Sequence, residues 1–177
     1  MKTRPAPGYA IRLAREADVP LLPAVEASAA TLFEGVEIGF RGGDFGTTPP
    51  GALDLCRASG TLWVAVDRDD APVGFLAAGE LDGFLYVHEL SVAAEHQRRG
   101  LGAALMAAAV DFGRWAYIPA VTLTTDRYVP WNKPFYARLG FVELQREGLP
   151  PGHAALLASQ VARGHDPARR CAMAKVL

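Results

Sequence analysis

A mixed β-sheet covered by helices is the fold class this sequence predicts, and three observations predict it. Apolar runs of strand length come in adjacent pairs separated by polar turns; a strand–helix–strand unit follows them; and the helical stretches repeat apolar residues at helical spacing. The 177 residues suffice for one well-buried domain, 1–177, and are too few for two comfortable ones. Half are apolar and about a fifth are charged, the balance of a globular α/β (α+β) chain.

Residues 9–13 read as a short first strand. Asp18 is placed to cap a helix in which Leu22, Val25, Ala29 and Leu32 recur at helical spacing, with Pro20 and Pro23 in or near its first turn. Residues 35–50 hold five glycines and two prolines and read as a loop, after which a short helix fits 51–58. A hairpin comes next, 61–66 and 73–78 flanking the polar turn Asp67-Arg68-Asp69-Asp70. Residues 84–92, rich in aromatic and β-branched types, supply a third strand. From about Gly100 a long helix puts Leu101, Leu105, Ala108, Phe112 and Trp115 on one face. Residues 121–125 read as a strand and 133–139 as a short helix, with Asn132 near its cap and Gly140 as its stop. Strands over 141–145 and 170–176 close the chain, with a helix over 154–163 between them.

Several function classes are disfavoured. The net charge is −1 with both signs mixed along the chain, whereas a nucleic-acid binder shows a basic stripe. Apolar runs are broken by Gly, Pro or charge before they reach membrane-spanning length, and the first ten residues lack the apolar stretch of a signal peptide. Cys56 and Cys171 have neither metal-ligand spacing nor the pattern of a disulfide framework, so a reducing cytoplasm is the expected compartment. His153 and His165 have no partner at metal-ligand spacing and read as surface residues; no metal is expected.

The informative stretch is 87–102, VHELSVAAEHQRRGLG, in which a strand runs into Gln97-Arg98-Arg99-Gly100-Leu101-Gly102 and a helix begins. Glycines at such a junction let main chain approach an anion without a Cβ in the way. Unpaired amides and the helix dipole then favour negative charge, and His96, Arg98 and Arg99 add positive charge, so the stretch reads as a pyrophosphate cradle built largely from backbone. It is neither a G-x-G-x-x-G fingerprint nor a P-loop with its Lys-Ser/Thr. Glycines merely packing a helix on a strand would look similar, so the wider string decides.

Leu-x-Val, five residues to Gln, then Q-x-x-G-x-G closely resembles the acetyl-CoA motif of the GNAT superfamily of N-acetyltransferases. Downstream, Phe135-Tyr136-Ala137-Arg138-Leu139-Gly140-Phe141 resembles that superfamily's second hallmark, F-Y-x-x-x-G-F. The resemblance covers residues 61–144. It implies acetyl-CoA as co-substrate and a mostly antiparallel sheet with one splayed parallel strand pair that admits the pantetheine arm. It also implies that the backbone of Leu90, Ser91 and Val92 holds the pantetheine and thioester, while Gln97, Arg98, Arg99, Gly100, Leu101 and Gly102 hold the pyrophosphate. Asn132 stands nearer to the Tyr than in many relatives, which leaves it either a cofactor contact or a helix cap.

Acetyl transfer to an amine needs a base for the amine, a donor for the oxyanion and an acid for the departing thiolate. By the resemblance, the Val92 N–H serves the oxyanion and Tyr136 is the acid, against the alternative of a core tyrosine on a short helix. Glu89 is the first candidate for the base and His88 the second, with water as the alternative. Consecutive strand residues face opposite sides, so both reach one site only across a bulge. Glu34, Phe33, Phe45 and Asp44 border the glycine-rich loop and could line the acceptor side, as could Asp126, Arg127 and Trp131; ordinary surface or core roles are open to all of them.

The expected activity is transfer from acetyl-CoA to a primary amine of a small molecule, by direct attack in a ternary complex, since neither cysteine lies in either hallmark. The alternatives are acetylation of a protein lysine or N-terminus and a non-catalytic acyl-CoA-binding regulatory module. Residues 149–166, with Leu156, Leu157 and Val161 as an apolar stripe, are expected to fold over the acceptor side or to form a homodimer contact.

Overall fold

The computed structural model describes residues 4–41 and 46–177. Its seven strands are β1 (Ala10–Leu13), β2 (Leu62–Val66), β3 (Pro72–Leu81), β4 (Phe84–Val92), β5 (Ala120–Asp126), β6 (Val142–Glu143) and β7 (Arg170–Val176). They form one sheet in the order β1-β2-β3-β4-β5-β7-β6, in which β4–β5 is the parallel pair and the other pairs are antiparallel. Five α-helices flank it: α1 (Leu22–Ala30), α2 (Pro50–Ala58), α3 (Leu101–Trp115), α4 (Asn132–Arg138) and α5 (Pro151–Ala162).

Strand alternation divides the apolar side chains between two faces. Trp63, Ala65, Leu76, Leu85, Val87, Val121 and Leu123 meet Leu101, Leu105, Met106 and Ala109 of α3, while Leu62, Val64, Phe75 and Ala77 meet Leu22, Val25 and Leu53 of α1 and α2. The buried stripe of α3 is therefore rotated from the expected one. Leu101 and Leu105 belong to it, Phe112 is half-buried edge-on against Trp63, and Trp115 is 77% exposed.

Three local expectations are corrected. Asp18 does not cap α1. Its buried carboxylate receives the Arg15 N–H at 2.6 Å and the Arg12 guanidinium at 2.6 and 3.1 Å, within a 3-10 segment, Glu16–Leu21, that precedes the helix. The strand expected over 141–145 shrinks to β6, pairing Val142 and Glu143 with Ala174 and Met173. The buried face of α5 is His153, Leu157 and Gln160 rather than Leu156, Leu157 and Val161; Leu157 is common to both. That face is polar because it lies over Thr122 and Thr124 of β5, to which His153 and Gln160 hydrogen-bond.

Two departures from regular sheet position the site. Pairing between β4 and β5 covers Leu85–Val87 against Val121–Leu123 and then stops, although both strands continue, so they part like a fork. The β3–β4 register slips between Ala77↔Glu89 and Ala78↔Val87, which leaves His88 as the extra residue of a bulge.

Candidate active site

The end of β4 leads into the expected cradle. After a 3-10 turn at Ala94–His96, the Gln97 side-chain amide donates to the Val92 carbonyl at 3.0 Å and ties the loop to the strand end. Arg98 and Gly100 take positive φ, 58° and 76°, which turns the chain sharply into α3. The amides of Arg98, Arg99, Gly100, Leu101, Gly102 and Ala103 donate to no acceptor among the described residues. A run of free amides at the start of a fifteen-residue helix is an anion-binding concavity. A Cβ on Gly100 would meet nothing nearer than the Arg4 carbonyl at 3.8 Å, so the hollow is open. Residues before β1 brace it: Ala6 N–H donates to the Arg99 carbonyl, Tyr9 Oη bonds His96 Nδ1 at 3.0 Å, and the Arg99 guanidinium lies over the Tyr9 ring.

At the fork, Glu89 faces α1. Its Oε1 accepts the buried Ser91 hydroxyl at 2.7 Å, and burial followed by the negative charge of Glu26 pushes its carboxyl up to about 7. Ser91 and, from β7, Arg170 act in the opposite sense. Glu26 is itself raised by burial and accepts the Thr48 amide at 2.7 Å and the Thr48 hydroxyl at 3.1 Å. Tyr136 comes from α4, wedged between Phe135 and Phe141 with ring centroids 5.1 and 6.0 Å away. Burial, then the charges of Glu89 and Tyr86, hold its phenol above the ordinary value, so it stays protonated at neutral pH. No acceptor among the described residues occupies its hydroxyl. The charge of Glu89 therefore reaches the Tyr136 phenol.

His88 turns elsewhere. Its ring lies edge-on to Tyr86 at 5.1 Å and over Gly79, where a Cβ would come within 2.6 Å of Nε2, and it lines a cleft of about 610 Å³ with Ala52, Cys56 and Glu80. Burial lowers its affinity for a proton. Asn132 is the first residue of α4, and its side chain makes no capping bond, which removes the cap reading.

The other candidates have structural partners. Asp126 accepts the Tyr128 and Val129 amides and the Arg169 guanidinium, and Arg127 pairs with Glu143. Glu34 is exposed; Phe33 packs on Trp131, whose buried indole N–H has no partner among the described residues. Asp44 and Phe45 lie outside the described residues. Both histidines expected at the surface are drawn inward. His153 is fully buried, with Nδ1 on Asp82 at 2.7 Å and Nε2 on Thr122 at 2.9 Å, and half-buried His165 stacks on Phe40. Burial and the nearby arginines Arg170 and Arg163 push His165 down to about 4.

The two loops meet above the fork: Arg41 N–H donates to the Gly164 carbonyl at 2.9 Å, Asp166 N–H to Gly39 at 2.8 Å, and Arg169 to the Glu37 carbonyl at 2.6 Å. Beneath them, Arg170 donates from Nε to Gln160 Oε1 and from Nη2 to Thr124 Oγ1, both at 3.0 Å, and Thr124 also bonds Tyr86 Oη at 2.8 Å. Arg170, Glu26, Tyr86, Thr124 and Gln160 were not anticipated. Their signal was the alternation of Thr122 and Thr124 with apolar residues in a strand flanked on both sides by other strands.

Residues 58–143 match the family model of the acetyltransferase (GNAT) domain. Among solved structures, the chain is similar to N-acetylglutamate synthase from Neisseria gonorrhoeae, complexed with coenzyme A and N-acetyl-glutamate. The TM-score is 0.69 at 18% identity over 96% of this chain, which spans only 35% of that one. It is also similar to the ribosomal-protein-S18-alanine N-acetyltransferase of Escherichia coli (TM-score 0.66, 15% identity, 95% and 93% of the two chains). A third similar structure is a Mycobacterium tuberculosis protein in complex with CoA (0.64, 19%, 95% and 99%). The two hallmark strings and the amide cradle lie within the matched segment 58–143, so that segment carries the match to the GNAT acetyltransferase domain, and the forked sheet gives the chain the fold of these structures.

Proposed function

We propose that the protein is an acetyl-CoA-dependent N-acetyltransferase that acetylates a primary amine of a small molecule by direct attack. The observation that carries this reading is a carboxyl on β4, past the end of its pairing with β5 and pushed up to about 7, within electrostatic reach of a phenol on α4 that stays protonated. The free amides of 98–103 suit the pyrophosphate, and two of the similar structures contain CoA. In this reading the amine enters as an ammonium ion and gives one proton to Glu89. Its lone pair forms the N–C bond, the C–S bond breaks, and sulfur takes a proton from Tyr136. The phenolate recovers a proton from the nitrogen's second N–H by way of solvent, and Glu89 gives up the proton it took to solvent, which restores both groups. A carboxylate near 7 and a neutral phenol both match neutral pH. The bonds between 37–41 and 164–169, tied through Arg169 to Asp126 at the end of β5, join two segments beside the fork, which supports a small acceptor over a peptide groove.

The test is amine-dependent release of CoA thiol across a panel of amines, polyamines, amino acids and peptides. Release with a small amine, lowered on the order of 10²-fold or more in Glu89→Gln, is expected. Release with peptides alone would overturn the small-molecule assignment.

A further inference from the structure

Arg170 is a half-buried cation that pairs with no anion among the described residues. Arg170 begins β7 opposite Asp126, but Asp126 is already engaged by Arg169. The two hydrogen bonds of the Arg170 side chain go to uncharged oxygens, Gln160 Oε1 and Thr124 Oγ1, and no carboxylate lies within ion-pair distance among the described residues. Gln160 and Thr124 occupy Nε and one edge of Nη2, so they aim the guanidinium, and no further acceptor among the described residues meets Nη1 or the rest of Nη2. Thr124 is the first residue of β5 beyond the pairing with β4, which sets that guanidinium at the fork. Taking a guanidinium out of water is costly unless an anion meets it.

We propose that the acceptor is a small zwitterion, an amino acid, whose carboxylate is received by Arg170 while its amino group meets Glu89. The proposal rests on the acetyltransferase reading above and specifies its substrate class. The charges facing this space come from every element around it. Glu26 on α1 and Glu89 on β4 are acidic; Arg170 on β7 is basic; Tyr86 on β4 and Tyr136 on α4 are neutral; and His165, after α5, is held neutral at physiological pH by burial. Two carboxylates on one side and one guanidinium on the other complement an ammonium and a carboxylate. They disfavour a plain diamine, which would set its second cation near Arg170. They disfavour a phosphate ester too, because a dianion would face Glu26 and Glu89. A planar guanidinium fork also fits a carboxylate geometrically.

The experiment compares kcat/KM for CoA release with matched acceptors on the wild-type protein: amino acids, their carboxamides, the corresponding decarboxylated amines, and O-phosphoethanolamine. An amino acid should exceed its own carboxamide by on the order of 10²-fold, the usual consequence of leaving a buried charged group unmet. Arg170→Gln, which keeps a polar side chain beside Gln160 and Thr124, should erase that ratio by lowering the amino acid's value far more than the carboxamide's. Arg170→Lys should retain part of it. Turnover of carboxamides, diamines or the phosphate ester at or above the amino-acid rate would overturn the zwitterion assignment and leave the acetyltransferase reading standing. No release with any acceptor would overturn both. The wild-type comparison needs no variant, so misfolding of Arg170→Gln would not shelter the idea.

Discussion

Replacing Glu89 by Gln separates what this carboxyl does for chemistry from what it costs the fold. The carboxyl titrates at about 7 against 4.5 for an ordinary glutamate. At pH 8 about nine-tenths of it is ionised and at pH 6 about one-tenth. The amine's own titration is common to both proteins, so the ratio of wild-type to Glu89→Gln kcat/KM isolates the base. That ratio should be on the order of 10²–10⁴ at pH 8 and fall roughly tenfold by pH 6. Removing the Glu26 charge, as Glu26→Gln, should move the midpoint to lower pH; removing the Arg170 charge should move it higher. Stability runs the other way. Between 4.5 and 7 the folded protein holds a proton that the unfolded chain has released, so stability falls as pH rises through that window. At pH 8 the cost is up to about 3 kcal/mol, and nearer 1–2 given that Glu89 is only half-buried. A neutral Gln avoids it while keeping the Ser91 hydrogen bond. Urea unfolding should therefore show Glu89→Gln more stable than wild type at pH 8 and equal to it at pH 4. A ratio independent of pH from 6 to 8, with no stability gain at pH 8, would refute the reasoning.

Tyr136→Phe keeps the ring between Phe135 and Phe141 and removes only the hydroxyl, so kcat should fall by roughly 10²-fold while acetyl-CoA affinity, measured by calorimetry, stays unchanged. A Cβ at Gly102 meets Phe135 at no less than 3.4 Å, so Gly102→Ala should fold normally and Gly102→Val should weaken CoA binding sharply; calorimetric affinity equal to wild type in a folded Gly102→Val protein would remove the loop from the donor site. His153→Leu removes both side-chain bonds that the histidine makes, to Asp82 and Thr122, and should lower stability by about 1–3 kcal/mol in denaturant titration.

The amide-lined junction before α3 was legible in the sequence because its requirements are local. A strand, two glycines and a helix start, contiguous over 87–102, are enough to specify an amide cradle, and α3 begins at Leu101 as expected. The acceptor side was not, because Glu26, Glu89, Thr124, Gln160 and Arg170 come from five elements and meet only once the sheet order is known. His153 was read as a surface group for the same reason: its partners Asp82 and Thr122 stand 71 and 31 residues away. Asp82 also receives the Gly152 and His153 amides, so the N-terminus of α5 is capped from a hairpin turn that no local helix rule would find. The stripe on α3 was misphased because Trp115 and Phe112 were weighted by hydrophobicity, while the small residues Ala104 and Ala109 are the ones that are buried.

The fork also has a consequence for how the molecule comes apart. Strands β1 to β4 form one antiparallel ribbon and β5, β7 and β6 another, and the ladder between them is three residues long on each side. Each ribbon closes through its own neighbours, while the seam depends on that short ladder, on α3, which packs against β2, β3, β4 and β5, and on a few side-chain bonds such as Tyr86–Thr124 and Asp82–His153. Opening along such a seam costs less than unravelling either ribbon, so amide exchange should resolve two cooperative units rather than one. A donor molecule lying against both walls supplies the cross-linking that the missing ladder bonds do not. Acetyl-CoA, the proposed donor, would in that sense be a girder as well as a reagent, and its binding should fuse the two exchange regimes into a single transition.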